Sequence, residues 1–185
     1  IYTDSSFKYP QNILPYPNIK KHLDRFQTVI TSDNKPYGLH RCRDENFFKG
    51  EKVVSLRKCK EPTFTYTNFD CYVSQTFYVI KSTRIDLKYL TGLLNSRLIA
   101  FWLKHKGKMQ GHQYQIDKEP ILDLPILKAE SQGEKSVCSI VDQILAVKQK
   151  DSIADTSALE QQIDEMVYKL YDLTPEEIAI VEGTK

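Results

Sequence analysis

The chain has 185 residues, 41% hydrophobic and 27% charged, with a formal net charge of +2, proportions ordinary for a globular domain with a core and room for a small appendage. No apolar run approaches the roughly 20 residues of a membrane helix and no basic-then-apolar leader opens the chain, so a cytoplasmic protein with no membrane partner is expected, cut from a longer polypeptide because it begins at Ile1. The small net charge conceals an asymmetry: residues 1–120 carry 20 Lys and Arg against 11 Asp and Glu, whereas residues 121–185 carry 6 against 13, which suits a body that faces a polyanion and a tail that does not.

In chain order, three prolines break up the opening stretch until Asn18, which is expected to cap a short helix through Lys20, Leu23 and Phe26. Ser32–Pro36 is a turn cluster. Short strands are expected at Tyr37–Arg43, Lys52–Arg57 and Thr63–Thr67, and the strongest at Cys71–Lys81, which is rich in β-formers. Asp86 then caps one long helix, with Leu87, Leu90, Leu93, Leu94, Leu98, Phe101 and Trp102 at helical spacing, ending at Gly107. A polar loop with Gly107 and Gly111 leads to an edge strand, Ile121–Leu127, interrupted by Pro125.

The remainder reads as helical. Val137, Ile140, Val141, Ile144 and Leu145 form one stripe; Ser157 and Glu160 suggest a capping box for the next helix; Thr174-Pro175-Glu176-Glu177 has the cap, proline and acids that open a last one. The fold class expected is α/β (α+β): a small mixed-sheet recognition domain with a packed long helix over residues 1–130, followed by a C-terminal helical hairpin or spacer over 131–185.

The residues that bear chemistry do not assemble a catalytic motif. None of the seven glycines makes a dinucleotide fingerprint or P-loop. Cys42, Cys59, Cys71 and Cys138 form no CxxC pair and read as reduced thiols, and the four histidines lack metal-site spacing. Asp86-Leu87-Lys88 looks like a nuclease D-x-K, but Asp86 is claimed as a helix cap. Neither a catalytic residue, a cofactor nor a metal is therefore expected within the chain.

A binding surface remains. Lys and Arg match phosphates, and Arg, Lys, Asn and Gln read base edges. One segment supplies Arg41, Arg43, Arg57, Lys58 and Lys60 with Tyr66. The other supplies Lys106, Lys108, Gln110, His112, Gln113, Tyr114 and Gln115, with flexible glycines between. These thirteen are the candidate contacts to double-stranded DNA, the cations gripping phosphate and the second segment approaching bases. The polar loop could equally be an ordinary solvated turn.

The runs FFKGEKVVSLRKCKEPTFTYTNFDCYVSQTFYVIK (Phe47–Lys81) and YLTGLLNSRLIAFWLKHKGKMQGHQYQIDKEPILDLPI (Tyr89–Ile126) resemble the TaqI-like C-terminal specificity domain of type IIG restriction–modification enzymes of the Eco57I-like class. The tail LEQQIDEMVYKLYDLTPEEIAIVEG (Leu159–Gly183) is similar to the helical end of such enzymes and of type I specificity subunits. The resemblance implies a target recognition domain that reads a short duplex sequence for an adenine-N6 methyltransferase and a nuclease on the same polypeptide. It places S-adenosylmethionine and Mg2+ in those other domains, since neither an Asn-Pro-Pro-Tyr signature nor a nuclease motif occurs here. The alternatives are a generic nucleic-acid module without sequence preference, a protein-interaction domain built on the helical hairpin, and an enzyme whose site is built from distant residues.

Overall fold

The computed structural model describes residues 2–30, 33–38, 42–61, 63–110 and 113–184, with the backbone alone at 109, 110 and 114. The chain forms two compact units, 1–49 and 50–185. The expected change of role at 130/131 lies inside the second unit.

In the first unit, short 3-10 turns at Ser5–Lys8 and Pro10–Ile13 precede α1 (Pro17–Asp24). Asn18 does not cap α1; Tyr16 takes the N-cap position and Pro17 the first helical one, where a missing N–H costs nothing. Buried Thr3 donates to the Tyr37 carbonyl at 2.6 Å, and the Tyr37 hydroxyl donates to Asp24 at 2.7 Å. The strand expected at Tyr37–Arg43 is not observed where it can be seen: Tyr37 and Gly38 lie in a turn and Cys42 and Arg43 are irregular, while 39–41 fall outside the described residues.

In the second unit, β1 (Lys52–Leu56) runs antiparallel between β3 (Phe64–Thr67) and β4 (Phe77–Ile80). A second antiparallel sheet holds β2 (Lys58–Cys59), β6 (Gln113–Gln115) and β5 (Lys108–Gln110), in that order. The expected long strand at Cys71–Lys81 shrinks to Phe77–Ile80, since only Val53–Leu56 stands opposite to pair with it. Before it, Ser74 turns the chain: its carbonyl accepts from the Phe77 N–H at 3.1 Å, and its hydroxyl lies 2.6 Å from that of Thr76. At the start of β1, fully buried Lys52 donates to the carbonyls of Gly50 (2.7 Å) and Phe69 (2.6 Å), closing the Asn68–Asp70 turn.

The single helix expected from Asp86 to Gly107 is two. In α2 (Leu87–Asn95), the Asp86 carboxylate accepts from the N–H groups of Lys88 and Tyr89, as expected of a cap. Ser96 then breaks the helix and opens α3 (Arg97–Lys106), its hydroxyl accepting from the Ile99 N–H. Asn95, at the break, exchanges hydrogen bonds with the N–H and C=O of Phe64 at 2.9 and 2.7 Å, serving as a strand partner for the edge of β3.

The strand expected at Ile121–Leu127 is instead a turn of helix, α4 (Lys118–Leu122), and an extended segment. Tyrosine hydroxyls, rather than a strand ladder, satisfy that segment's backbone. Tyr89 donates to the Leu127 carbonyl and accepts from the Ala129 N–H, both at 3.0 Å, and Tyr171 donates to the Pro125 carbonyl at 2.7 Å. The segment leads into the expected helical pair, α5 (Ser131–Lys150) and α6 (Ser157–Leu170), and then α7 (Pro175–Val181). The capping box falls at Thr174 and Glu177. At α6 the N-cap is Thr156, whose hydroxyl donates to the Glu160 carboxylate instead of capping a backbone N–H, so the box expected at Ser157 and Glu160 does not form.

α2 divides the core. Leu87, Leu90 and Leu94 pack with Val53, Phe64 and Leu103, while Tyr89 and Leu93 pack with Val137, Val141, Ile163 and Val167 of the helical pair. Asp164 of α6, 5% exposed, accepts from the Arg97 N–H at 2.8 Å and faces the Arg97 guanidinium at 3.3 Å. It thus caps a helix from 67 residues away. No described helix is long and apolar enough to cross a membrane.

A Cβ at Gly92 would lie 2.5 Å from Val137 Cγ1 and 3.3 Å from Val141 Cγ2. Gly92→Ala should therefore cost about 1–3 kcal/mol in strain, more than the ~1 kcal/mol gained in helix propensity, and lower the melting temperature in a thermal scan. Burial, the largest influence, raises the Asp164 carboxyl above its ordinary 3.8 against the opposing pull of the Arg97 N–H. The folded state then holds that proton more tightly than the unfolded chain, so stability falls as pH rises through the window just above 3.8. In urea titrations across that window, Asp164→Asn, which still accepts from Arg97, should flatten the decline. Asp164→Ala, which strands the N–H, should lose about 1–3 kcal/mol.

Candidate nucleic-acid interface

The second sheet is built by the two segments singled out from the sequence. The polar stretch after α3, expected as a loop, is a β-hairpin: Lys108 pairs with Gln115, Met109 with Tyr114 and Gln110 with Gln113. β2 adds to it, with Lys58 opposite Gln115 and Cys59 opposite Tyr114. Directly opposed residues share a face of a sheet. Lys58, Gln115 and Lys108 therefore form one cross-strand row, with exposed Gln113 on the same face two residues along β6. The other face points inward: Cys59, 8% exposed, belongs to the core with Phe64 and Leu103, and burial raises its thiol pKa.

Arg57 joins the two sheets. Its N–H donates to the Thr76 carbonyl at 2.9 Å, beside the first sheet, and its carbonyl accepts from the Ile116 N–H at 3.0 Å, beside the second. The guanidinium lies over the Tyr78 ring at 5.3 Å, and its buried Nε has no hydrogen-bond partner among the described residues. The Arg57 main chain is thus a corner post between the two sheets, and its side chain is half withdrawn from solvent.

The flanking cations are better exposed. Lys58 and Lys60 are exposed and have no ion-pair partner among the described residues. Lys106 lies 5.2 Å over the Trp102 ring, and Lys108, 79% exposed, reaches toward Asp117 at 3.8 Å. The Gln115 amide donates to the other Asp117 oxygen at 2.8 Å. Gln110 and Tyr114 hold their places in the register.

The remaining candidates lie elsewhere. Tyr66 is 9% exposed on β3 of the other sheet, and its hydroxyl donates to Glu51 at 2.6 Å. Burial, followed by that bond, pushes its pKa up to about 12. It is a core residue with a satisfied polar tip. Arg43 belongs to the first unit, where it is exposed and its carbonyl accepts from the Tyr2 hydroxyl. Arg41 and His112 lie outside the described residues. Sequence reasoning passed over Asp117; the signal available was an acid two residues from Gln115, the same-face spacing of a strand. Groups of acids, histidines and cysteines able to hold a metal are absent among the described residues.

Tyr66→Phe should lower stability by about 1 kcal/mol in thermal melts and leave duplex-DNA affinity unchanged in a gel-shift titration.

Comparison with known proteins adds a family. The TaqI-like C-terminal specificity domain matches residues 11–126. The type II methyltransferase M.HincII of Haemophilus influenzae is 24% identical over 118 residues, covering 56% of this chain and 24% of that protein. The type II methyltransferase M.HindII of Haemophilus influenzae (strain ATCC 51907 / DSM 11121 / KW20 / Rd) is likewise 24% identical over 118 residues, covering 56% of this chain and 23% of that protein. The chain thus spans about a quarter of the length of these curated relatives.

Proposed function

The chain belongs to the TaqI-like C-terminal specificity domain family, and from that premise we propose that it reads a short sequence of double-stranded DNA on behalf of a DNA methyltransferase in a restriction–modification system. The observation that carries this reading is the second sheet. It sets a lysine of β2 and a lysine of β5 on either side of the glutamines of β6, on a face turned away from the core. Such a face supplies both parts of recognition: ammonium groups that match phosphates wherever the duplex is gripped, and carboxamides that pair with base edges.

In its finer form the proposal places an adenine-N6 methyltransferase, and a nuclease in the type IIG manner, elsewhere on the same cytoplasmic polypeptide. Those domains would bind S-adenosylmethionine and Mg2+. The target base would be flipped into the methyltransferase, so that the present residues select and position DNA without reacting with it. The relatives' description as type II methyltransferases supports the methyltransferase part. The role boundary falls at 130/131: residues 121–185 carry 13 acids against 6 bases, a charge that turns α5–α7 away from phosphate and toward protein. Tyr66 leaves the expected contact set, since its hydroxyl is engaged by Glu51; Arg57 stays in it, since the bonds that join the sheets are those of its main chain.

Duplex binding is expected to weaken as salt rises, because phosphate contacts release counterions. Lys58→Ala should weaken binding to all sequences about equally and reduce the slope of log affinity against log salt by roughly one. Fluorescence anisotropy with cognate and unrelated duplexes at several salt concentrations measures both. A salt-independent affinity, or an unchanged slope in the variant, would count against the sheet face and favour a protein-interaction role.

A further inference from the structure

We infer that Asp117 is a positioning residue for sequence reading, which locks the Gln115 carboxamide in the one orientation that matches adenine. The inference rests on the DNA-reading function proposed above and deepens it.

The lock is visible in the geometry. Gln115 Nε2 donates to Asp117 Oδ1 at 2.8 Å. Only an amide hydrogen can face a carboxylate; the flipped carboxamide would set its oxygen against the carboxylate charge. The orientation is therefore fixed by chemistry. It leaves Gln115 with a free acceptor, Oε1, and one remaining hydrogen on Nε2. Adenine presents the complement in the major groove, a donor at N6 beside an acceptor at N7. Guanine offers two acceptors there, which a carboxamide so fixed meets with oxygen against oxygen.

Asp117 is also held in place and diverted from a competing task. It follows Ile116, which is 1% exposed and whose N–H is bonded to the Arg57 carbonyl at 3.0 Å. The Asp117 backbone is thereby tied to the core and to the joint between the sheets. It stands at the N-cap of α4, where an aspartate ordinarily accepts from the helix's first N–H groups, yet its side chain makes no such bond. The carboxylate is turned to β6 instead. A support held by the core, acting on a side chain at the reading face, is what precise placement requires.

The second carboxylate oxygen gives the arrangement a signature. Asp117 Oδ2 lies 3.8 Å from Lys108 Nζ, on a side chain 79% exposed. Asp117 therefore offsets a cation that would otherwise be available to phosphate. Removing Asp117 should loosen sequence choice and strengthen sequence-independent binding together. A residue that merely supported the fold would, on removal, weaken both.

The test is selection of bound duplexes from a randomised pool by the full chain, with affinity for an unrelated duplex measured alongside. Wild type should select a defined sequence. Gln115→Ala should lose preference at one base pair where wild type takes adenine. Asp117→Ala should lose it at the same pair, by roughly 5- to 150-fold in discrimination, the equivalent of about 1–3 kcal/mol, while binding the unrelated duplex more tightly. Asp117→Asn can present either its oxygen or its own N–H to Gln115, so it no longer fixes the carboxamide and should lose part of the adenine preference. Asp117→Ser, which keeps a capping side chain too short to hold Gln115, serves should Asp117→Ala not fold. The inference is overturned if Asp117→Ala or Asp117→Ser retains every preference, if the two positions affect different base pairs, or if the pair affected by Gln115→Ala is not adenine. A wild type that binds DNA without selecting any sequence, or does not bind it, overturns the proposed function as well, and so separates the two failures.

Discussion

Everything in the second unit is arranged around the close approach of α2 to α5. Gly92 lets the two backbones come together until Val137 occupies the space a side chain would need. With that contact made, α2 is apolar and buried on opposing faces, one packed on the first sheet and the other on the helical pair. A helix buried on both of these faces cannot shift along either neighbour without opening voids that a close-packed interior does not tolerate. Its ends are fixed by polar bonds of defined length: Asp86 at the start, and Asn95 reaching to Phe64 at the finish. The acidic helices therefore pack on the face of α2 opposite the one that carries the first sheet.

That rigidity reaches the second sheet through Arg57. β1 is held by α2, and its chain continues through Arg57 into β2. The main-chain bonds of Arg57 to Thr76 and Ile116 set the position of the second sheet against the first. The hairpin beyond α3 is short, and a hairpin alone is marginal in water. It becomes part of the fold because β2 pairs with it on one edge and Ile116 buries behind it. A face of lysines and glutamines is thus carried by strands whose opposite side is core, which allows polar groups to stand outward without a loop's freedom.

The sequence made some of this legible. Charge counts separated a basic body from an acidic tail. Helical periodicity located α5 and α6, and cap chemistry located the starts of α2 and α7, because those signals are local and a helix satisfies its own backbone. The cations and the glutamines were recognised as two separate segments, and the wording of long runs pointed to the specificity-domain family that the comparison shows.

What depended on distant partners was not legible. β4 is shorter than its β-forming composition suggests, because β1 supplies only four opposing residues. The segment around Pro125 is satisfied by Tyr89 and Tyr171 hydroxyls from helices remote in sequence. Tyr66 looked like a surface aromatic among cations, but its strand turns it inward to Glu51. The union of Lys58 with Gln115 could not be read from either segment, since backbone pairing carries no residue code and a strand's register is set by what its far face must bury. The sequence by itself determined which residue types could bind a polyanion and that α5, α6 and α7 would form, because propensity, capping and charge act within a few residues. Only the tertiary structure decided which of those residues share a face, because that follows from the burial of Cys59 and Ile116 behind the sheet.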